Sequence, residues 1–155
     1  MRILIACEYS GIIRNAFAVL GHDVWSCDLL PTETEGQHYQ CDVREVITLG
    51  WDMLIAHPPC TYIAASGLHY CNIERYGDKA KERIVKRHDA VSFFLEMYNA
   101  PINKICVENP RGYISTVFKR PTQEIHPYYF GEPEMKRTGL WLKNLPPLLW
   151  TPQNT

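Results

Sequence analysis

Long apolar runs are missing from these 155 residues, and so is any paired spacing among the six cysteines. No segment is long and apolar enough to cross a bilayer. The opening Met1-Arg2-Ile3-Leu4-Ile5 gives way to Cys7-Glu8, which breaks the pattern of a secretory signal. Cysteines 7, 27, 41, 60, 71 and 106 are scattered, several of them in or beside apparent strands. That is the habit of free thiols in a reducing compartment, not of a disulfide scaffold. A cytoplasmic location and no membrane partner are expected. Internal repeats, low-complexity tracts and interdomain linkers are also missing, so residues 1–155 are expected to form a single domain. Net charge is nearly missing too, at −1, but it divides unevenly. Residues 1–77 carry four Lys/Arg against nine Asp/Glu, and residues 78–155 carry twelve against eight. An acidic half suits hydroxyl-rich or cationic ligands and a basic half suits phosphates, although a solvated surface can split this way by chance.

What is present is an alternation of short apolar strands with helical stretches. Ile3–Cys7 reads as a first strand. Ser10 can cap a helix over Ile12–Leu20, ended by Gly21. Strands follow at 22–27, ending at Asp28, and at 38–41, ending at Asp42. One or two helical turns are expected over Val43–Leu49 and a strand over Met53–Ala56. Asp78 can cap a long helix to about Tyr98, with an apolar face through Ile84, Val85, Val91, Phe94 and Leu95. A strand at Lys104–Val107 and a late one at Thr138–Leu142 complete the pattern. This order predicts an α/β fold: a mostly parallel central sheet, right-handed crossovers and flanking helices.

Two strand exits stand out. Met53–Ala56 runs through His57 into Pro58-Pro59-Cys60-Thr61, and Ile105-Cys106-Val107 runs into Glu108-Asn109-Pro110. Two prolines fix φ, remove two backbone donors and force a rigid exit, so the Cys60 thiol is presented at the carboxyl edge of the sheet. Ligands of open α/β sheets bind at that edge. Carboxylates also stand at strand ends in order. Glu8, with Gly11, follows the first strand. Asp28 follows the second, where an acid can hydrogen-bond ribose hydroxyls, and Asp42 the third, where an acceptor can take an adenine amino group. Each of these also fits a cap or turn residue. The Cys7-Glu8-Tyr9-Ser10-Gly11 turn is no Gly-x-Gly-x-x-Gly fingerprint.

Taken in order, strand-Gly-helix, Asp28, Asp42, Pro58-Pro59-Cys60 and Glu108-Asn109 resemble the cytosine C5 DNA methyltransferases, especially their short, phage-borne members. The resemblance covers residues 1–118 by motif. The late segment from Gln123 through Pro127, Phe130-Gly131 and Lys136-Arg137 to Leu142 has the look of the same subgroup. It implies a Rossmann-like methyltransferase fold using S-adenosylmethionine. By resemblance the cofactor lies against Cys7, Glu8, Tyr9, Ser10, Gly11, Asp28, Leu29, Asp42, Val43 and Pro58. Cys60 is then the nucleophile that adds to cytosine C6, Glu108 the carboxyl group that protonates N3, and Asn109 the brace of the loop. Pro59, Thr61, Arg111, Lys136 and Arg137 are the implied substrate contacts, with DNA as partner and the host-cell cytoplasm as location.

Departures from the family are visible. Thr61 replaces the usual Gln after the cysteine, Pro110 replaces Val, and the Phe-x-Gly-x-Gly run is absent. The chain has no room for a target-recognition domain, and residues 61–77 are short for a loop that closes over a flipped base. Weak, salt-sensitive DNA binding is therefore expected, with a homodimer or a second protein supplying selectivity. Modification of a free cytosine nucleotide, or a catalytically inactive binding protein on the same fold, are the alternatives. Residue by residue, Cys60 also fits a buried structural thiol, and Glu108 a partner of Arg111. Lys136-Arg137 also reads as a solvated pair, and Tyr128-Tyr129-Phe130 as packing. His57-x-x-Cys60 with His69-x-Cys71 has the residue types of a zinc site, but the rigid prolines and dissimilar spacing argue against it, and no metal is expected.

Overall fold

Ile3, Leu4, Ile5 and Ala6 are all fully buried, the mark of a central strand covered on both faces. In the computed structural model, which describes residues 1–126 and 137–149, they belong to β1 (Arg2–Ala6). The chain continues through α1 (Ile12–Val19), β2 (Asp23–Asp28), β3 (His38–Gln40) and β4 (Met53–Ala56). A 3-10 turn (Ala65–Cys71), the one-turn helix α2 (Ile73–Tyr76) and the long helix α3 (Asp78–Tyr98) follow. β5 (Lys104–Pro110), the one-turn α4 (Ile114–Val117), β6 (Gln123–Ile125) and β7 (Thr138–Lys143) complete the described elements.

The described strands form one sheet in the order β3-β2-β1-β4-β5-β7-β6. The four pairings among β1 to β5 are parallel, and β7 runs antiparallel to both β5 and β6. The sheet is thus parallel on one side and mixed at the other edge, within an α/β architecture compatible with a Rossmann-like fold. Alternate residues of β1 face opposite layers, as the two-residue period of a strand requires. Leu4 and Ala6 join Leu54, Ala56, Ile105 and Val107 in a core with Phe94 and Met97 of α3, while Ile3 and Ile5 pack with Val24, Met53, Ile13 and Phe17 on the α1 side.

Four local expectations need correction. Glu108, Asn109 and Pro110 do not follow the fifth strand but belong to it. The parallel ladder with β4 stops at Ala56 opposite Val107, whereas β7 carries the pairing on to Pro110 opposite Thr138. Of the apolar face expected on α3, Phe94 is buried and Val91 and Leu95 pack against the core, but Val85 is exposed, and Ala80, Met97 and Tyr98 join the buried side. Residue Asp78 makes no cap: Gly77 holds that position at φ +59°, and Asp78 lies in the first turn. After Asp42 the helical piece is only a 3-10 turn over Val43–Glu45.

Candidate active site

The strand order reverses between β1 and β4, so the crevice at their carboxyl ends is the switch point where open α/β sheets bind ligands. The chain after β1 (7–11) and the chain after β4 (57–60) both lie there. The His57 amide continues the ladder by donating to the Ala6 carbonyl at 3.0 Å. Cys7 turns out of β1 at φ +62°, a backbone strain for a residue with a Cβ and a common mark of functional turns.

The two sequence motifs are joined directly. Asn109, 2% exposed, donates from Nδ2 to the Pro58 carbonyl at 3.0 Å and to the Glu108 carbonyl at 3.2 Å. Glu108 Oε2 lies 2.7 Å from His57 Nδ1, a separation that needs one proton between the two atoms. His57 Nε2 is buried with no hydrogen-bond partner among the described residues. Beyond the prolines the Cys60 carbonyl accepts from the Ile63 and Ala64 amides at 3.1 and 2.9 Å, closing a tight turn. That turn is fastened to the segment after β5. Tyr113 N donates to Ile63 O at 2.7 Å, and Ala65 N donates to Arg111 O at 2.9 Å. Gly112 is required there, since a Cβ would run into the Ile63 carbonyl.

A cavity of about 560 Å³ opens beside this join, within the usual size of small-molecule sites. Cys7, Asp28, Leu29, Asp42, Val43 and Pro59 all line it, so strand ends far apart in sequence meet in one wall. Asp28 Oδ1 accepts from Leu30 N at 2.9 Å, and no hydrogen bond to its second oxygen is found among the described residues. Asp42 is more committed. Its two oxygens accept from the Arg44 amide at 2.9 Å and the Arg44 guanidinium at 3.1 Å, and Arg44 also pairs with Glu96 at 2.6 Å. Arg44 lines it too, and Tyr62, Lys86, Asp89 and Phe93 add contributions from the post-cysteine turn and α3 that sequence reasoning missed. A smaller hollow is lined by Glu8, Tyr9, Ser10 and His57.

Glu8 serves the fold. It is buried, and its carboxylate accepts from the amides of Ile13 at 2.8 Å and Arg14 at 3.2 Å, satisfying free N–H groups at the start of α1. Ser10 Oγ accepts from Ile12 N at 3.3 Å, and Gly11 makes the turn at φ +78°. Arg14, 1% exposed, went unnoticed in the sequence. Its guanidinium donates six hydrogen bonds, to Asn15, Ser26, Thr32, Thr34 (two) and Glu35, and so ties down the polar loop after β2.

The other implied contacts are dispersed. Thr61 is exposed, and its carbonyl accepts from Arg83 Nη2 at 3.1 Å. Arg111 is exposed on the loop after β5, and Arg137 pairs with Glu124 at 3.4 Å. Lys136 and the Tyr128-Tyr129-Phe130 run lie outside the described residues. Burial pushes the thiols of Cys7, Cys27 and Cys106 up from 9.0 to about 12, with the charges of Asp28 and Asp42 adding to the effect at Cys7 and that of Glu108 at Cys106. Those three stay protonated at neutral pH and are poor nucleophiles. Among the described residues no three His, Cys, Asp or Glu side chains gather to hold a metal ion, and His57-Cys60 is not joined by His69-Cys71. None of the described helices is long and apolar enough to cross a membrane.

No protein-family model and no curated protein matches this chain. Among solved structures, it is similar to WbdD in a co-crystal with a kinase inhibitor, at 11% identity and a TM-score of 0.44. The match covers 90% of this chain and 35% of that one, so the chain spans about a third of its length.

Proposed function

We propose that the protein transfers a methyl group from S-adenosylmethionine to C5 of cytosine in DNA, through a covalent adduct on Cys60. One observation carries the reading: the buried Asn109–Pro58 hydrogen bond, which holds the Pro-Pro-Cys exit of β4 against Glu108 of β5, beside a cavity that Asp28 helps to wall. The cavity fits the cofactor in kind. It offers a carboxylate at the ribose position after β2, apolar walls from Leu29, Val43 and Phe93, and acids nearby for a cationic sulfonium. Cys7, Asp28, Leu29, Asp42 and Val43 would hold it, with Pro59, expected against the substrate, taking the place expected for Pro58. When bound, S-adenosylmethionine supplies an electrophilic methyl group.

The chain's own residues account for the rest. Cytosine C5 is a poor nucleophile until C6 is attacked. Cys60 Sγ forms a bond to C6, the ring electron pair moves to C5, and Glu108 delivers a proton to N3. His57 Nδ1, 2.7 Å from Glu108 Oε2, is placed to pass that proton to the carboxyl group. Once C5 carries the methyl group, a solvent water takes the C5 proton, the Sγ–C6 bond breaks with release of the Cys60 thiolate, and N3 returns its proton to Glu108, which restores the ring. Asn109 keeps Pro58 fixed, so Cys60 does not drift from the base.

The test is label transfer from S-adenosylmethionine to duplex DNA, single-stranded DNA and dCMP in separate reactions. DNA carrying 5-fluorocytosine cannot lose its C5 substituent and should trap an adduct that mass spectrometry places on Cys60. Transfer to dCMP alone would move the substrate to the free nucleotide. No transfer to any of them, or a trap unchanged in Cys60→Ser, refutes the mechanism.

A further inference from the structure

We propose that a second cavity, framed by Tyr62, Tyr70 and Tyr76, binds the nucleotide that neighbours the target base on an unpaired DNA strand. This rests on the cytosine reading above and extends it to a surface that reading does not use. The cavity, about 400 Å³, lies among the residues after Cys60, α2 and the first turns of α3. Besides the tyrosines it is lined by the cations Lys79, Arg83 and Lys86, opposed by a single carboxylate, Glu82.

Its parts are already arranged. The Arg83 guanidinium sits 5.0 Å from the Tyr62 ring centre and 5.1 Å from that of Tyr70, and the Lys86 ammonium lies 5.3 Å over Tyr62. Tyr70 and Tyr76 are tilted rings 5.4 Å apart. With these neighbours and the His69 ring 3.9 Å away, Tyr70 is still 44% exposed, so ring area remains for a ligand. Arg83 Nη2 is bound to the Thr61 carbonyl, but Arg83 Nε is buried with no hydrogen-bond partner among the described residues. A buried N–H without an acceptor is destabilising, and a phosphate or base oxygen brought by a ligand would satisfy it.

The chemistry selects the ligand. A simple anion has no use for three ring faces, and an apolar peptide has none for three cations. A nucleotide uses both, its base stacking on tyrosine and its phosphate meeting Lys and Arg. In a duplex the base faces are hidden by their neighbours, so the strand must be unpaired where it enters. Position points the same way. Tyr62 and Lys86 line this cavity and the larger one alike, and Tyr62 stands two residues beyond Cys60. Tyr62 belongs to the tight turn that follows Cys60, so a strand bound at the tyrosines passes the turn that carries the nucleophile.

A fluorescent ten-residue oligothymidylate tests the site, because it contains no cytosine and its binding is independent of methyl transfer. Anisotropy titrations at several salt concentrations should show binding to the wild type that Tyr70→Ala weakens about tenfold. Lys79→Gln should lower the slope of log affinity against log salt by about 0.7, one phosphate contact on a single strand. Neither residue lines the larger cavity, so both variants should keep the wild-type affinity for S-adenosylhomocysteine. The proposal is overturned if the wild type ignores the oligothymidylate. It is also overturned if both variants bind it like wild type, or if a duplex of the same length binds as well as the single strand. A protein that traps the Cys60 adduct yet fails here keeps the reaction and loses this site. One that binds through Tyr70 yet never forms the adduct keeps the site and loses the reaction.

Discussion

Replacing Asn109 probes the join between the two motifs. Its Nδ2 donates to the Pro58 carbonyl at 3.0 Å, and that carbonyl has no other partner among the described residues. In Asn109→Ala the carbonyl is left buried and unsatisfied, which costs about 1–3 kcal/mol. Asn109→Asp keeps the shape but turns an oxygen towards the carbonyls of Pro58 and Glu108, so it should cost at least as much, with a buried charge added. Urea denaturation reads this directly. With a slope of about 1–3 kcal/mol per molar, the midpoint of the Ala variant should fall by roughly 1 M. The same loss frees the Pro-Pro exit, so mass-resolved alkylation of native protein should label Cys60 faster in both variants. If both unfold at the wild-type urea concentration and label at the wild-type rate, the hydrogen bond does not hold the loop, and the reasoning about the site fails with it.

Asp28→Ala should weaken binding of S-adenosylhomocysteine by about 1–3 kcal/mol in calorimetry, because it removes the carboxylate proposed for the ribose; an unchanged affinity refutes that assignment. Arg14→Met keeps the side-chain stem but deletes six hydrogen bonds and leaves their acceptors facing a thioether, so unfolding stability should fall by on the order of 3 kcal/mol or more. A wild-type midpoint in thermal unfolding would show the cluster to be dispensable. Alkali should also destabilise the fold. Cys7, Cys27 and Cys106 hold their protons to about 12, whereas unfolded thiols release theirs near 9.0, so the unfolded chain binds fewer protons between those values. Stability should be intact below pH 9 and decline as pH rises towards 12, and a urea midpoint that stays constant from pH 8 to 11 would contradict this.

Local chemistry was legible in the sequence. Pro58-Pro59 after an apolar run announces a strand exit whatever surrounds it, and β4 lies at Met53–Ala56 as its apolar residues suggest. The bounds of α3, Asp78 to Tyr98, follow from composition for the same reason. Long-range pairing was not legible. Glu108 and Asn109 sit inside β5 because β7, about thirty residues later, pairs with them, and nothing near Glu108 signals that partner. His57 reads as a spacer before the prolines, and only the meeting of β4 with β5 makes it a neighbour of Glu108. Arg14 sits in an apolar helical stretch like any solvated cation. Its acceptors, 12 to 21 residues further on for all but Asn15, are ordinary Ser, Thr and backbone groups. The cavity was half-readable: strand-end acids named one wall, but the opposite wall comes from α3, where no local signal marks Lys86, Asp89 and Phe93 as facing a cavity.

The Arg14 cluster has a consequence for how the molecule opens. Residues 32–35 are also tied to the turn after β1, Glu33 N donating to Tyr9 O and Thr34 Oγ1 to Ser10 O, both at 2.8 Å, and the Arg14 guanidinium is anchored to β2 through Ser26 and carried by α1. The loop cannot lift away without breaking that cluster, and the segment just before it includes Asp28 and Leu29 of the cavity wall. Loop, helix start and wall therefore form one cooperative unit, whose amide hydrogens should exchange with solvent at a common rate set by a single sub-global opening. Ligand in the cavity would slow that whole group together, including amides in α1 that it never touches.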